Sequence, residues 1–338
     1  MTQLGHNGAA TAPHASGGPL PVVMSPATPG QPILGALGSP RLRSAIDQAL
    51  DEHGGVLLRG WSVAGSEGFR GFARGFGHPL LSYDFGSTPR SRVGDGVYSS
   101  TEYPAHQHIP LHNEQSYTRD WPLKIWFHCT VAAARGGETP IADSRRVYHR
   151  IDPSIRRRFA KRGVLYVRNY GNGLDVPWQR VFDTNDPEVA EAYCRAHAIE
   201  CAWTADGELR TWQVAQAIAH HPRSREPVWF NQAHLFHVSA LEAAVREALL
   251  DAVEPDQLPR NAYYGDGAPI EDSVLHEIRA VYAELSVVSP WQTGDVLMLD
   301  NMLVAHGRTP FTGLRQVIVA MAESHAGNAD DTGAAGNG

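Results

Sequence analysis

The most informative stretch of the sequence is Leu111-His112-Asn113-Glu114-Gln115-Ser116-Tyr117. Its His112 and Glu114 are two residues apart, so on an extended strand both side chains leave the same face. An imidazole and a carboxylate on one face can hold a single metal ion between them. The stretch therefore predicts two metal ligands on one strand, and a third ligand has to come from elsewhere in the chain.

A second stretch supplies the candidate third ligand, Asp300-Asn301-Met302-Leu303-Val304-Ala305-His306-Gly307-Arg308. His306 lies there, after the apolar run Val296-Leu297-Met298-Leu299, which predicts a strand. Two imidazoles and one carboxylate on one side of an ion make the facial arrangement of non-haem Fe(II) oxygenases, which leaves the opposite side open. We therefore expect the fold to bring His306 onto the strand that carries His112 and Glu114.

The composition is that of an ordinary globular chain. Its 338 residues, 42% of them hydrophobic and 19% charged, can bury a large core as one big domain or two small ones. The net charge of -7 argues against a nucleic-acid-binding protein, which usually shows a basic face. A local basic cluster is interpreted as the solvated face of a helix, with a docking patch for an acidic partner as the alternative: Arg156, Arg157, Arg158, Lys161 and Arg162.

Cysteine usage and hydropathy indicate the compartment. Cys129, Cys194 and Cys201 are odd in number and lack CxxC spacing, so neither a disulfide framework nor a zinc knuckle is indicated. No apolar stretch approaches the ~20 residues needed to cross a bilayer, and the N-terminus has no basic segment leading into an apolar one. The expectation is a cytoplasmic protein with no membrane and no nucleic-acid partner; a homo-oligomer stays open.

Both ends of the chain have a low-complexity composition. Residues 1–30 are rich in Gly, Ala, Pro, Thr and Ser with almost no periodic apolar pattern, and residues 326–338 have the same character. Such segments cannot bury enough surface to offset their ordering entropy. The sequence thus predicts a disordered tail at 1–30, a single domain at 31–325 and a flexible tail at 326–338.

Between the tails, helix and strand signals alternate without a regular βαβ repeat. Strands outnumber helices near the motifs, which fits neither a doubly wound sheet nor a (β/α)8 barrel. The predicted class is α+β, with a double-stranded β-helix (jelly roll) core, flanking helices and a long insert between the metal-binding strands. Helices are expected at 39–53, 66–75, 152–163, 239–253 (from a capping box at Ser239 and Glu242) and 273–285; strands are expected at 55–60, 123–131, 164–182, 296–299 and 315–321.

The H-x-E triplet is weak evidence by itself, because the chain holds 17 His and such a triplet can be a satisfied polar pair at a strand edge. Two further residues strengthen it. Thr139 lies in Gly136-Gly137-Glu138-Thr139-Pro140, and Arg315 follows His306 on the next expected strand. A hydroxyl and a guanidinium are the groups expected at the far end of a dicarboxylate, because the guanidinium fork matches a carboxylate with two parallel hydrogen bonds.

Together these motifs resemble those of the TauD/TfdA-type Fe(II)/2-oxoglutarate dioxygenases. The resemblance rests on H-x-E, the G-G-x-T turn, the block G-D-V-x-x-x-D-N-x-x-x-x-H-G-R and the trailing Arg, and it covers roughly residues 80 to 322. It implies that His112, Glu114 and His306 are the iron ligands and catalytic residues. It also implies that Thr139 and Arg315 bind the distal carboxylate of the cosubstrate 2-oxoglutarate.

The residue type at the acidic ligand position narrows this resemblance to one group within the family. Taurine dioxygenase and its nearest relatives carry Asp at this position, whereas the H-x-E of this chain is similar to that of the SyrP-like amino-acid hydroxylases of nonribosomal peptide biosynthesis. The implied reaction is hydroxylation of an unactivated C–H bond of an amino acid or a derivative, free or tethered to a carrier protein, with O2 consumed and succinate and CO2 released. Desaturation, epoxidation and cyclisation stay open, because they differ only in the fate of the substrate radical.

Polar residues near the ligands are the candidate substrate contacts. Gln107, Asn113 and Gln115 flank the first two ligands, Asn231 lies in an aromatic region, and Arg308 follows His306. Uncharged amides suit an amino-acid backbone, although the same groups can satisfy strand ends. Arg308, like Asn301, can instead brace the loop that carries His306.

Two alternatives from other functional classes stay open at this point. A zinc hydrolase could use the same three ligands with a bound water as the nucleophile, and a non-catalytic jelly-roll protein could use them as a structural metal site. The zinc hydrolase would need neither Thr139 nor Arg315 where they are. Succinate release in the presence of Fe(II) and 2-oxoglutarate separates the three, because only the oxygenase couples turnover to decarboxylation.

Overall fold

The computed structural model describes residues 9–12, 20–82, 90–101, 103–171 and 176–327. Its helices are α1 (Ile33–Leu37), α2 (Pro40–His53), α3 (Gly65–Arg74), α4 (Ser144–Arg150), α5 (Pro153–Arg162), α6 (Trp178–Val181), α7 (Pro187–Ala196), α8 (Ala233–Phe236), α9 (Ala243–Ala252) and α10 (Asp272–Leu285). Its strands are β1 (Ala9–Ala12), β2 (Val22–Pro26), β3 (Gly55–Leu58), β4 (Arg92–Gly94), β5 (Val97–Ser99), β6 (Ile109–His112), β7 (Asp120–Val131), β8 (Arg135–Gly136), β9 (Ile141–Asp143), β10 (Val164–Asn169), β11 (Glu200–Trp203), β12 (Leu209–Ala215), β13 (Ile218–His220), β14 (Pro227–Trp229), β15 (Arg260–Tyr264), β16 (Val296–Asp300), β17 (Val304–Arg308), β18 (Phe311–Thr312) and β19 (Gln316–Ala326).

The larger sheet has eight strands among the described residues, in the order β1-β2-β3-β16-β7-β19-β5-β4. All neighbours run antiparallel except β2 and β3, which are parallel. The central strand β7 is buried on both faces, because successive side chains point to opposite sides of the sheet. Trp126 packs in the cluster with Phe69 and Phe72 of α3, while Ile125 and Phe127 pack toward the second sheet.

The smaller sheet has the order β6-β17-β9 and lies over the other face of the larger one. Ile141 of β9 and Val304 of β17 share a core cluster with Phe127 and Leu297 of the larger sheet. Burial of this shared apolar surface holds the two sheets face to face. The predicted double-sheet core with helices at its flank is therefore present, and the two histidines of the motifs lie on its smaller sheet.

A third layer is built by the residues between β9 and β16. Its four-stranded antiparallel sheet has the order β11-β12-β10-β15. Helices α4, α5, α7 and α10 bury apolar side chains in one cluster with this sheet. Leu111 and Ala305 from the two metal-site strands belong to the same cluster, so this layer packs directly against the candidate site.

Most of the predicted elements are confirmed, with boundaries that differ by a few residues. Helix α2 ends at Gly54, whose φ of 77° is the left-handed conformation that glycine adopts readily. Helix α5 begins after Asp152, whose side chain accepts a hydrogen bond from the Ser154 N–H at 2.7 Å. Local capping chemistry of this kind acts over a few residues, which is why it was visible in the sequence.

Two predicted elements are wrong in extent. The strand expected over 164–182 ends at Asn169, and the chain forms α6 at Trp178–Val181. The capping box at Ser239 and Glu242 is not formed, because α9 begins only at Ala243. Arg279 donates to the Ser239 hydroxyl at 2.9 Å and His237 lies 2.8 Å from it, so tertiary partners occupy the group that would have capped the helix.

The N-terminal boundary of the domain also moves. β2 pairs in parallel with β3, and its Met24 is 1% exposed, so Val22–Pro26, inside the predicted tail, forms a strand of the larger sheet. A five-residue strand with two buried apolar side chains leaves too short a pattern for a sequence prediction. The rest of the predicted tails, residues 1–8, 13–19 and 328–338, lies outside the described residues.

No helix in the described part of the chain is both long and apolar enough to cross a bilayer.

Candidate metal centre and its cavities

The two motif histidines face each other across a strand pair. His306 of β17 is the direct antiparallel partner of His112 of β6, and their ring centroids lie 4.6 Å apart. Gly307 permits this close pairing, because a Cβ at that position would lie 2.5 Å from the Ile109 carbonyl oxygen. The expectation that the fold returns His306 to the His112 strand is therefore met by the register of the smaller sheet.

The prediction that Glu114 shares an extended strand with His112 is wrong in its geometry. β6 ends at His112, and Glu114 lies in the turn that follows. Its carboxylate still reaches the histidines, since Glu114 Oε2 lies 3.8 Å from His306 Nε2. The tight turn therefore brings the Glu114 carboxylate close to the histidines, which the sequence analysis had expected from the alternation of side chains along a strand.

Asn301 positions the turn that carries the acidic ligand. Its Oδ1 accepts a hydrogen bond from the Glu114 N–H at 2.7 Å, and its Nδ2 donates to the Glu114 carbonyl oxygen at 2.9 Å. The same Nδ2 donates to the Pro122 carbonyl oxygen at 2.9 Å, and the Asn301 side chain is completely buried. One amide from the downstream motif therefore fixes the backbone of the upstream motif on both sides of its carboxylate.

The three residues form a donor set that fits a divalent metal ion. His112, Glu114 and His306 each offer one ligand atom, and these atoms all lie within 4.8 Å of one another. His112 Nδ1 lies 2.8 Å from the Pro110 carbonyl oxygen, so Nδ1 carries the proton and Nε2 presents its lone pair. Nitrogen and oxygen donors on one side of an ion suit Fe(II) and related first-row metals.

Burial keeps both imidazoles in the form that binds metal. Desolvation lowers the pKa of His112, although the nearby Glu114 carboxylate opposes that shift. Desolvation, with the neighbouring His112 and the Arg90 guanidinium, holds the pKa of His306 well below its usual range. Both rings are consequently neutral at neutral pH, and neutral imidazole is the metal-binding form.

Arg90 pairs with the candidate acidic ligand. Its Nη2 donates to Glu114 Oε2 at 2.6 Å, and the two side chains are 3% and 5% exposed. Sequence reasoning missed this residue, because it lies outside both motifs and no spacing rule links it to Glu114. Only the tertiary packing of the segment before β4 against the turn after β6 brings the two charges together.

Thr139 and Arg315 line a narrow cavity together with both histidines. Arg315 Nε donates to the Gly137 carbonyl oxygen at 2.8 Å, and the Trp291 indole N–H donates to Thr139 Oγ1 at 3.2 Å. Burial, with the nearby Arg308 charge, lowers the pKa of Arg315 to about 10, so the guanidinium remains protonated at neutral pH. This cavity thus groups four of the five residues that the resemblance assigned to metal and cosubstrate.

A larger cavity of about 450 Å³ opens beside the metal site. It shares four lining residues with the narrow cavity, among them Arg90 and His112. Glu114 and Gln232 line it near the metal site. Apolar side chains from α8, α9 and the turn between them line the rest, together with His237 and Arg260. A volume of this size is typical of pockets that enclose a drug-sized ligand.

The predicted substrate contacts divide into two groups. Asn113 and Asn231 are completely buried and bonded inside the fold: Asn113 Nδ2 donates to the Asn301 carbonyl oxygen at 2.6 Å, and Asn231 Nδ2 donates to the Ala217 carbonyl oxygen at 2.8 Å. Neither lines the larger cavity. The structure therefore places both amides as internal braces, while Gln232, which sequence reasoning passed over, lines the cavity instead.

The other three predicted contacts lie around the site rather than in the larger cavity. Arg308 lines the narrow cavity and donates to the carbonyl oxygens of Tyr103, Pro104 and Gln107, so it braces the loop before β6. Gln107 itself is exposed in that loop. Gln115 lines a separate cavity of about 140 Å³ on the far side of the Glu114 turn. Direct substrate contact by these side chains stays a prediction.

Comparisons with known proteins agree with this geometry. Residues 30–321 match the taurine catabolism dioxygenase TauD, TfdA family. The chain is 45% identical over 276 residues to the dapdiamide synthesis protein DdaC of Enterobacter agglomerans, which covers 82% of this chain and 84% of DdaC. It is 32% identical over 326 residues to a clavaminate synthase-like protein of Arabidopsis thaliana, which covers 91% of this chain and 95% of that relative.

A likeness to solved structures extends over nearly the whole chain. PvcB of Pseudomonas aeruginosa superposes with a TM-score of 0.54 at 15% identity, covering 93% of this chain and 91% of PvcB. At such low identity the likeness shows the fold alone.

Proposed function

The chain belongs to the TauD/TfdA family, and on that premise we propose that it hydroxylates an unactivated C–H bond of an amino acid or amino-acid-derived substrate in specialised metabolite biosynthesis. It is a 2-oxoglutarate-dependent non-haem iron dioxygenase with the double-sheet, jelly-roll core of that family. The observation that carries the proposal is the convergence of His112, Glu114 and His306, whose ligand atoms lie within 4.8 Å of one another.

We assign iron binding to these three residues. Iron and 2-oxoglutarate together supply an oxidative decarboxylation, which consumes O2, releases succinate and CO2 and provides the oxidant for the C–H bond. The protein contributes position and shielding. The two neutral rings and the carboxylate occupy one side of the site, and the burial of Glu114 and His306 limits their contact with bulk water.

Thr139 and Arg315 are the proposed anchors for the distal carboxylate of 2-oxoglutarate. The Arg315 guanidinium is oriented by the Gly137 carbonyl oxygen and remains charged at neutral pH, so it can form a charge-assisted pair with a carboxylate. Because the Trp291 N–H already donates to Thr139 Oγ1, the Thr139 hydroxyl proton is left to donate to the same carboxylate.

The cavity wall that the third layer provides favours a substrate larger than the cosubstrate. Residues from α8, α9 and the start of β15 build the outer wall of the 450 Å³ cavity. We infer that the segment between β9 and β16 is the predicted insert and that it shapes the substrate site. The name of the relative DdaC, a dapdiamide synthesis protein, supports a biosynthetic reaction over a catabolic one.

An anaerobic titration tests the proposal directly. Adding Fe(II) and then 2-oxoglutarate to the metal-free protein should produce the visible charge-transfer band of an iron–oxo-acid chelate, and adding O2 with candidate amino acids should release succinate. A zinc hydrolase or a structural metal protein would bind an ion without this band and without succinate.

Glu114→Ala should lower succinate release by roughly 100-fold or more, because it removes a metal ligand. Glu284→Ala is the matched control, since Glu284 is a half-exposed carboxylate that pairs with Arg150. Full activity of Glu114→Ala would remove this carboxylate from the metal site.

A further inference from the structure

Gln232 presents an unpaired polar atom to the larger cavity. Its side chain is 3% exposed and lines that cavity. Its Nε2 donates to the Asn113 carbonyl oxygen at 2.8 Å, and because a carbonyl oxygen can only accept, this bond fixes which end of the amide is nitrogen. Gln232 Oε1 therefore points away from Asn113, and no residue in the described part of the chain donates a hydrogen bond to it.

Gln216 shows the same kind of bonding without a cavity. Its Nε2 donates to the carbonyl oxygens of Ser116 and Thr118, and its Oε1 is sealed in the core without a partner. Gln232 Oε1 is not sealed in this way, so its open side faces the cavity that the residue lines. Such an oxygen favours a ligand that carries a hydrogen-bond donor, because an unsatisfied acceptor in a largely buried position costs free energy.

The bond to Asn113 places this oxygen beside the metal site, because Asn113 directly follows the metal ligand His112. His234, from the same segment as Gln232, holds the carbonyl on the other side of that ligand. Its Nε2 donates to the Leu111 carbonyl oxygen at 2.9 Å. The segment that begins α8 is thus bonded to the backbone on both sides of the ligand, and Gln232 Oε1 keeps a fixed position relative to it.

The opposite end of α8 offers a donor to the same cavity. His237 is 7% exposed and lines the cavity. Its Nδ1 accepts a hydrogen bond from the Ser239 N–H at 3.1 Å, so the ring proton lies on Nε2. Desolvation lowers the pKa of His237, which keeps the ring neutral at neutral pH. The wall therefore carries an acceptor beside the metal site and a neutral donor about 7 Å away along α8, at 1.5 Å per residue.

We propose that Gln232 determines substrate specificity, with its Oε1 accepting a hydrogen bond from an N–H group of the substrate beside the metal. This inference rests on the proposed function and specifies the substrate class of the same site. The substrate is a nitrogen-bearing compound whose N–H group lies at the metal end, and whose apolar part packs against Leu235, Phe236 and Val245. An amide N–H and an ammonium group share this chemistry, and the experiment below distinguishes them.

A largely buried acceptor of this kind both selects and orients. A substrate with an N–H group satisfies Gln232 Oε1, whereas an analogue with a methyl group in its place leaves the oxygen unpaired. The donor at the other end of α8 gives no such partner to an N–H group. The N–H end therefore binds at the metal end of the cavity, and the carbon atoms next to the nitrogen lie closest to the metal site.

The experiment uses two pairs of probes that differ in their N–H groups. Heptanamide and octan-2-one form the neutral pair, and heptylammonium and heptyltrimethylammonium form the charged pair. Each probe is titrated into protein saturated with Mn(II) and the non-reactive cosubstrate analogue N-oxalylglycine. Proton NMR relaxation of the probe reports its binding and its distance from the paramagnetic ion, with Zn(II) as the diamagnetic reference.

The wild type should bind the N–H member of one pair about fivefold or more tightly than its partner, since one hydrogen bond to a largely buried acceptor is made or lost. The pair that shows this preference identifies the N–H group as an amide or an ammonium. In the bound probe, the methylene protons nearest the nitrogen should relax faster than the terminal methyl protons. Equal binding within both pairs, or fastest relaxation at the terminal methyl, would overturn the inference.

Gln232→Met keeps the length of the side chain and removes its amide, so it should lose both the preference and the oriented relaxation. Gln216→Met is the matched control, because Gln216 is an equally buried amide that bonds the turn after Glu114 without lining the cavity. It should keep both. A preference that persists in Gln232→Met would contradict the role of Gln232. The wild-type measurements decide the inference even where Gln232→Met fails to fold.

The two proposals fail in different ways. A wild-type protein without a charge-transfer band in Fe(II) and 2-oxoglutarate would contradict the oxygenase function. A band that forms normally, with no preference for an N–H group in either pair of probes, would contradict only the role of Gln232.

Discussion

At the scale of single residues, the conformation of Glu114, the proposed acidic ligand, depends on Asn301, which lies 187 residues further along the chain. Glu114 lies in a turn, and turns are less constrained than strands unless their backbone groups are bonded. Asn301 bonds both the N–H and the carbonyl oxygen of Glu114 and is itself completely buried. The conformation of the turn, and with it the direction of the carboxylate, therefore depends on this amide.

Asn301→Ala should lower metal affinity by about 10- to 100-fold, because it releases the backbone that aims Glu114. It should also lower the free energy of unfolding by about 1–3 kcal/mol, since buried polar groups lose their partners. Calorimetric metal titration and urea unfolding measure the two effects. Asn169→Ala is a matched control, because Asn169 Nδ2 likewise donates to two carbonyl oxygens, those of Asp256 and Leu258. The control should lose stability and keep its metal affinity; equal losses of affinity in both variants would contradict the positioning role.

At the scale of secondary-structure elements, the turn between β8 and β9 positions Arg315, the proposed cosubstrate anchor. Gly137 has a φ of 75°, and a Cβ there would lie 2.8 Å from Arg315 Cδ. Its carbonyl oxygen accepts a hydrogen bond from Arg315 Nε at 2.8 Å. The glycine is thus needed twice, once for the left-handed backbone and once for the close approach of the guanidinium stem.

Gly137→Ala should raise the KM for 2-oxoglutarate by about tenfold or more, because small displacements of a positioning group have large effects. Gly207→Ala is the matched control, because Gly207 has a similar φ of 78° but open space around an added Cβ. It therefore introduces the backbone strain without the crowding against Arg315. Steady-state succinate release at varied 2-oxoglutarate measures the change. An unchanged KM in Gly137→Ala would show that Arg315 does not hold the cosubstrate.

Helix α9 is the element with the least support from the core. All of its residues are described, and each remains at least partly exposed, including the apolar Val245 and Leu250. Val245 and Leu249 line the larger cavity. An apolar helix face over a cavity mouth is stabilised when an apolar ligand covers it.

At the scale of the whole molecule, the metal-site strands lie between two hydrophobic cores. Leu111 and Ala305 pack into the third layer, whereas Val304 packs against the larger sheet. The layers are also joined by polar contacts, since the buried Asp300 carboxylate lies 3.1 Å from His221 Nε2 and 3.3 Å from Arg223 Nη2. Packing on both sides restrains the two histidines more firmly than one sheet could do.

Helix α5 carries the basic cluster that the sequence analysis named as an alternative docking patch. Three of its five basic side chains already contact other residues of the chain. Arg158 pairs with Glu271 at 2.6 Å, Arg162 pairs with Asp266 at 2.7 Å, and the Arg156 guanidinium lies over the Tyr148 ring. Arg157 and Lys161 are exposed. If an acidic carrier protein binds here, these last two residues carry the attraction.

Reversing both exposed charges, Arg157→Glu with Lys161→Glu, should raise the KM for an aminoacyl group on a carrier protein by about threefold to tenfold, because rim charges mainly affect association. The same aminoacyl group on free pantetheine should be turned over at an unchanged rate. Succinate release at two salt concentrations measures both. Equal kinetics of the variant and the wild type on the carrier-bound substrate would place carrier binding elsewhere.

Local patterns in the sequence were enough to predict the candidate metal ligands and most helices and strands. These follow from local rules: caps and glycines end helices, apolar periodicity marks buried faces, and ordered motifs mark His112, Glu114, His306, Thr139 and Arg315. Each rule acts over a few residues, and so the sequence alone was sufficient for them.

The remaining features became visible in the folded chain. The tertiary structure placed Glu114 in a turn, made Asn113 and Asn231 internal braces, joined β2 to the larger sheet and brought Arg90 onto Glu114. Each of these features depends on contacts between segments far apart in the chain. Strand register and core packing set such contacts, and because both are collective properties of many side chains, no short pattern in the sequence encodes them.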